Sequence, residues 1–379
     1  MKNSNRRFNE ELLLASKEER LDYFKDYTVA HPKLEKALIE LKKAIYSPDN
    51  FNVIMVVGPS GVGKSRLFEQ TIRSILKDMA EDIEQDKSII PVTGIELPNP
   101  DLGKFNWKDF YYRVLTSLNE PLIDFKIDYE QILGKKVKKK ISPLKSETTP
   151  ELRRSLENAF LYRETKALLI DEAQHFFDVG TSVKMQKQFN SIKSLSNMAN
   201  TKIVLFGTYD LNSVINLDGQ LSRRVYEIHF PRYDYSNVEE MKMFKNMLFS
   251  FQKALPLEEE PNLIMIHEYI YENSIGCAGI VKDWLQRCLS EAIDNNEKTI
   301  TLDSLARNAI NTKKLLTLVK EANSGELDFI ESKQDREELK TLLGINGDTK
   351  ETSVQKKKGN TLPGIRNPQR DAVEQVEFQ

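Results

Sequence analysis

The most constraining feature of this 379-residue chain is one short string, Gly58-Pro59-Ser60-Gly61-Val62-Gly63-Lys64-Ser65. The run NVIMVV ahead of it is apolar on both faces, as a central strand of a parallel sheet must be. From Lys64 to about Met79 the apolar positions recur at helical spacing. A strand that turns through glycines into a helix aims successive backbone N–H groups, and the positive end of the helix, at an anion. The spacing G-x-x-x-x-G-K-[ST] is that of a phosphate-cradling loop. Lys64 would place its charge on the β- and γ-phosphates, and the Ser65 hydroxyl would ligate Mg²⁺. Pro59, Ser60 and Val62 supply loop backbone, and Arg66 follows in the first helical turn, so residues 58–66 form the expected ATP-binding set.

Three further elements fit the same chemistry. ALLID ends an apolar strand in Asp171 and Glu172, and the carboxyl ends of strands are where open α/β sheets hold their ligands. Asp171 is expected on Mg²⁺, and Glu172 as the general base or orienter for water. KIVLFGT ends another strand in Thr208, placed to sense the γ-phosphate. QLSRR precedes the last strand candidate, YEIHF, and Arg223 or Arg224 would reach a neighbouring subunit's γ-phosphate.

Strands and helices alternate from Lys33 to about Arg232, which predicts an α/β domain with a parallel sheet between helices. After Pro231 three helix-periodic stretches follow without a strand candidate, predicting a small all-helical lid over 233–311. Residues 1–32 read as an N-terminal extension. Residues 312–379 grow polar, and past Gly344 breakers dominate, so this extension is expected to be largely disordered or to bind a partner.

The composition narrows the field further. Lys+Arg total 55 against Asp+Glu 57, so any nucleic-acid contact must be a local patch. Cys277 and Cys288 have no spacing suited to zinc or a disulfide framework and read as small buried apolar groups, and the four histidines are scattered singly. No apolar run approaches the ~20 residues needed to span a bilayer, so a cytoplasmic protein without a membrane partner is expected.

Taken in order, GPSGVGKS, LLIDEAQH, FGT and QLSRR resemble an AAA+ ATPase of the initiator-like branch. YTVAHPKLEKALIELKKAI before the loop, IIPVTGIELPNP leading to FYYRVLTSLNEPL, and the IDEAQH form narrow the resemblance to the TnsC/TniB group of transposition regulators, over approximately residues 25–295. The resemblance implies a homo-oligomeric ring or helical filament formed on duplex DNA with ATP bound. It also implies partners in a transposase and a TniQ/TnsD-like target selector, and hydrolysis that dismantles the polymer. One departure stands out: the lid pattern G-x-x-R is Gly279-Ile280-Val281-Lys282 here, so a lysine would stand where the family offers a second sensor. In similar ATPases the helical element after the second strand points toward the pore. That places Lys104, Lys108 and Arg113 as candidates for phosphate contacts, with Lys135, Lys136, Lys138, Lys139 and Lys140 as a second basic cluster. A replication-initiator or helicase-loader-like switch, and a signalling or defence NTPase that ignores DNA, stay open as alternatives.

Overall fold

A computed structural model describes residues 6–100, 105–123, 149–177, 181–212 and 225–345, apart from residues 30, 50, 122 and 331. Five parallel strands form one sheet: β1 (Val53–Val57), β2 (Val92–Glu96), β3 (Ala167–Asp171), β4 (Lys202–Gly207) and β5 (Val225–His229). Their spatial order is β2-β3-β4-β1-β5. The central position of β1 explains its composition. All five residues VIMVV are buried, because helices cover both faces of a parallel sheet.

The helices among the described residues are α1 (Lys17–Asp26), α2 (Pro32–Tyr46), α3 (Lys64–Asp78), α4 (Ala80–Gln85), α5 (Trp107–Ser117), α6 (Thr149–Tyr162), α7 (Ser182–Ala199), α8 (Val238–Ala254), α9 (His267–Ser274), α10 (Ala278–Asp294), α11 (Leu302–Asn308), α12 (Thr312–Leu327) and α13 (Lys333–Leu342). On one face of the sheet, Val53, Met55 and Val57 pack with Leu168 and Ile170 under α5, α6 and α7. On the other, Ile54 and Val56 meet α2 and α3 through Leu34, Leu41, Leu67 and Ile75. Alternation along one strand thus feeds two separate cores. Trp107 and Tyr111 join the first of them, which accounts for their place on the apolar face of α5.

The helices after Pro231 build their own core around Trp284, Phe244, Leu248 and Leu289. Phe24 and Val29 are buried in that same core, so the segment ahead of α2 is packed against the lid helices. Helix α1 opens with a capping box at Ser16 and Glu19, and its Phe24 is fully buried against Phe251. Cys277 and Cys288 are both buried thiols, as their spacing implied.

Within the extension expected to be largely disordered or partner-binding from residue 312, the described residues 312–345 hold two helices. Helix α12 is capped by the Asn311 side chain and buries Leu315, Ala322 and Gly325 against the α/β body. Its apolar stripe is short and interrupted by polar residues, so the polar average of the segment hid a packed face. The body to which α12 belongs extends to Ile330, and a second unit begins at Glu331. In that second unit α13 has its own capping box at Ser332 and Asp335 and no buried residue.

Candidate functional site

The loop between β1 and α3 takes the path its glycines permit. Gly61 and Gly63 have φ values of 77° and 113°, a region that side chains resist. Gly58 lies so close to the next strand's exit that an added Cβ would sit 2.2 Å from the Phe230 carbonyl oxygen. Helix α3 therefore begins at Lys64 with its N-terminal N–H groups facing the loop. The Lys64 ammonium, 8% exposed, donates to the carbonyls of Gly58 and Pro59, each at 2.9 Å. Burial holds its pKa below the ordinary lysine value, while the carboxylates of Glu172 and Asp171 pull the other way.

Asp171 ends β3 and is 6% exposed. Its carboxylate accepts from the Glu172 backbone N–H at 3.0 Å. Burial raises its pKa above the usual carboxylate range, and the nearby Ser65 side chain and that hydrogen bond oppose the rise. The loop's Ser65 hydroxyl and the strand-end Asp171 carboxylate are neighbouring hard oxygen donors. That is the donor chemistry a Mg²⁺ bound mainly through phosphates and water requires. No cluster of three or more His, Cys, Asp or Glu side chains suited to a metal occurs among the described residues.

Glu172 adopts φ 53°, ψ 40°, the left-handed region, at a cost of about 1–2 kcal/mol for a residue with a side chain. The turn throws its carboxylate away from the strand, where the Gln174 side-chain amide donates to it. Gln174 went unnoticed in the sequence reading, although the DEAQ string contained it. Thr208 follows β4 directly, and its hydroxyl donates to Asp210 at 2.8 Å. The strand it leaves lies against β1, with Gly207 opposite Val57 and the Gly58 N–H donating to the Gly207 carbonyl at 3.4 Å.

Lys282 lies on α10 of the lid, next to the segment that leaves α1. Its ammonium donates to the backbone carbonyls of Lys25 at 2.5 Å and Tyr27 at 2.8 Å. The reason is burial: at 9% exposure a lysine needs acceptors, and the chain leaving α1 brings two. Burial, followed by the nearby Arg66, lowers its pKa to about 8. Arg66 also donates to the Lys25 carbonyl and pairs with Glu69 at 2.6 Å. The segment ahead of α2 is thus tied on one side to α3 and on the other to α10, over a crevice lined by Val29, His31, Val62, Gly63, Ala278 and Gly279. The lid touches the phosphate loop itself, since the Ile280 N–H donates to the Gly61 carbonyl at 3.1 Å.

Among the basic candidates on α5, Arg113 is exposed and paired with Asp109 at 2.6 Å, and Lys108 lies one turn earlier, half-buried. Lys104, Lys135, Lys136, Lys138, Lys139, Lys140, Arg223 and Arg224 lie outside the described residues. Among the described residues no helix is long and apolar enough to cross a membrane.

A family model described as "Bacterial TniB protein" matches residues 20–235, more than half of the chain. No curated protein matches. Among solved structures, the ADP form of the Aeropyrum pernix ORC2 protein is similar with a TM-score of 0.51 and 14% identity, over 76% of this chain and 71% of that one. The Aeropyrum pernix ORC1 protein in complex with DNA is similar with a TM-score of 0.49 and 16% identity, over 76% and 68% respectively. The body of the chain shares the fold of that ORC2 protein, and with the matched segment spanning both the phosphate loop and the carboxylate strand, the chain belongs to the TniB family.

Proposed function

We propose that this protein is an ATP-dependent regulator of DNA transposition that assembles on duplex target DNA as a ring or filament. It connects a TniQ/TnsD-like target selector to a transposase, and ATP hydrolysis releases the assembly. Membership of the TniB family supports the transposition role. The observation that carries the nucleotide chemistry is the glycine-turned loop ahead of α3, with Lys64 seated on its Gly58 and Pro59 carbonyls beside the strand-end carboxylates Asp171 and Glu172.

In this reading the N–H groups of residues 61–65 hold the phosphate chain, and Lys64 leaves the Gly58 and Pro59 carbonyls for the β- and γ-phosphate oxygens. Ser65 and Asp171 would hold Mg²⁺, which supplies charge neutralisation on the phosphates when bound. Glu172 takes the proton of the attacking water, and Gln174 holds the Glu172 carboxylate in place until then. Thr208 orients the water or the γ-phosphate from the end of β4, and Arg223 or Arg224 completes the site of a neighbouring copy. Lys108 and Arg113 on α5, with Lys104 and the 135–140 cluster, contact DNA phosphates without reading sequence.

Electron microscopy with duplex DNA and Mg-ATP tests this directly. Polymers should form with ATP, fail without nucleotide, and fail for Lys64→Ala. Indifference to all three conditions would reject the proposal. ATP turnover stimulated by duplex at low salt and much less at high salt is the companion result. A turnover that ignores DNA would favour an NTPase latch that never meets nucleic acid.

A further inference from the structure

The last two turns of α12 and the residues just after them touch four separate parts of the nucleotide-binding body. Gly325 lies against the Tyr209 ring so closely that an added Cβ would stand 2.0 Å from Tyr209 Cγ, leaving no room for any side chain. Tyr209 immediately follows Thr208, and Gly207 before it carries the carbonyl that meets the Gly58 N–H of the phosphate loop. Phe329 stacks on His229, the last residue of β5, with ring centroids 4.1 Å apart and planes 6° from parallel. His229 in turn shares a 2.9 Å hydrogen bond with the Tyr209 hydroxyl. The ends of β4 and β5 are therefore gripped together.

The same stretch holds the link between sheet and lid. Arg232, three residues beyond β5, donates from Nε to Glu326 Oε1 at 3.0 Å and from a terminal nitrogen to Glu326 Oε2 at 3.2 Å. It also donates to the Asn323 side chain and, at 3.4 Å, to the Ile275 carbonyl in the turn that leads into α10. Asn212 donates to Asp328 at 3.1 Å, just ahead of the segment that contains Arg223 and Arg224. A bidentate arginine–carboxylate pair fixes direction as well as distance, and this one is mostly buried.

We propose that α12 and the residues just after it form a clasp in which Gly325, Glu326 and Phe329 position the hydrolytic machinery. They set the end of β4 carrying Thr208 against the hinge that carries the lid. They touch no nucleotide and act through Tyr209, His229 and Arg232. The proposal rests on the ATPase reading above and adds to it a structural requirement outside the segment matched to the family, which ends at residue 235. A helix placed only to cover apolar surface would need neither the two-point grip on Arg232 nor a glycine against Tyr209.

The test uses the full chain with Glu326→Gln, Gly325→Ala and Phe329→Leu, each compared for Mg-ATP affinity and for turnover at saturating ATP. Small misplacement of reacting groups is costly, so turnover should fall about 10-fold while nucleotide affinity stays within about 3-fold. Exchanging the pair as Arg232→Glu with Glu326→Arg should recover much of the loss seen in Arg232→Glu alone. Unchanged turnover in Gly325→Ala and Phe329→Leu, or parallel losses of affinity and turnover, would overturn the clasp. If Glu326→Gln does not fold, the other two variants decide. The parent chain and Glu172→Gln are measured alongside: if the parent turns over no ATP, the ATPase reading itself fails, whereas an active parent and a dead Glu172→Gln beside fully active clasp variants sink only the clasp.

Discussion

The phosphate loop and the lid junction lie against each other, yet they are built in opposite ways. The loop's chemistry comes from eight consecutive residues and one strand end, and its geometry follows from backbone freedom at Gly61 and Gly63. The junction is assembled from residues as far apart as Lys25 and Lys282, held by side chains reaching for backbone carbonyls. A local motif dictates its structure through torsion angles. A long-range junction depends on which surfaces happen to meet. The difference implies that substitutions in the loop should alter chemistry first and stability second, whereas substitutions at the junction should loosen the protein first and alter chemistry second.

The largest effect expected is at Lys64. Lys64→Ala removes the charge on the transferring phosphate, and ATP turnover should drop by roughly 10²–10³-fold, the scale for losing a transition-state stabiliser. Some stability should go with it, because the Gly58 and Pro59 carbonyls lose their donor, but the kinetic loss should be the larger effect. A large stability loss with modest kinetic change would erase the contrast between the two regions. Next comes Glu172→Gln, for which loss of a general base predicts a fall of about 10²–10⁴-fold in turnover with ATP binding retained. Retained nucleotide should then prolong DNA-bound assemblies, and rapid disassembly of this variant would contradict the assigned role.

At the junction, Lys282→Met leaves the Lys25 and Tyr27 carbonyls without their donor. Each buried acceptor left unpaired costs about 1–3 kcal/mol, which denaturant unfolding would show. Hydrogen exchange should rise in residues 25–29 while the β-strand amides remain protected. A variant as stable as the parent would mean that the segment ahead of α2 is held by Phe24 and Val29 alone.

The smallest effect is a pH dependence at the same junction. His31 is buried beside Lys33, bonded to the Tyr233 hydroxyl at 2.9 Å, and burial lowers its pKa to about 4. The unfolded chain would protonate near 6.5, so between about 6.5 and 4 it binds the extra proton and the folded state does not. Stability is therefore whole above about pH 6.5 and declines as the pH falls toward 4, by up to ~1.4 kcal/mol per pH unit from this residue. His229, with its pKa also lowered to about 4 by burial, adds in the same direction. Unfolding free energies at pH 7 and pH 5 for the parent and His31→Gln would measure the share. A slope unaltered by the substitution would assign the dependence elsewhere.

What the sequence disclosed follows the same division. The strands β1, β3 and β4 were readable because each is an apolar run ending in a chemically marked residue: Gly58, Asp171 or Thr208. The lid helices were readable from periodicity. Helices α1 and α6 were missed: α1 is mostly charged and buries only Phe24, and α6 follows a lysine-rich stretch that drew attention to charge. The resemblance offers Lys282 as a second sensor through the lid pattern G-x-x-R, and nothing in the string shows that residues 25–27 would arrive beside it. Arg232 drew no notice for the same reason, because its partner Glu326 is 94 residues away. Spacing reports on groups sharing one turn or one strand end. It is silent on contacts created by tertiary packing.

The central claim is that nucleotide joins copies of this chain around double-stranded DNA. Mass photometry of the purified protein with a random-sequence duplex, with and without Mg-ATP, tests it most directly. The account predicts assemblies of many copies that require both duplex and ATP and that shrink as ATP is consumed. A chain that stays monomeric under saturating Mg-ATP and duplex would contradict it.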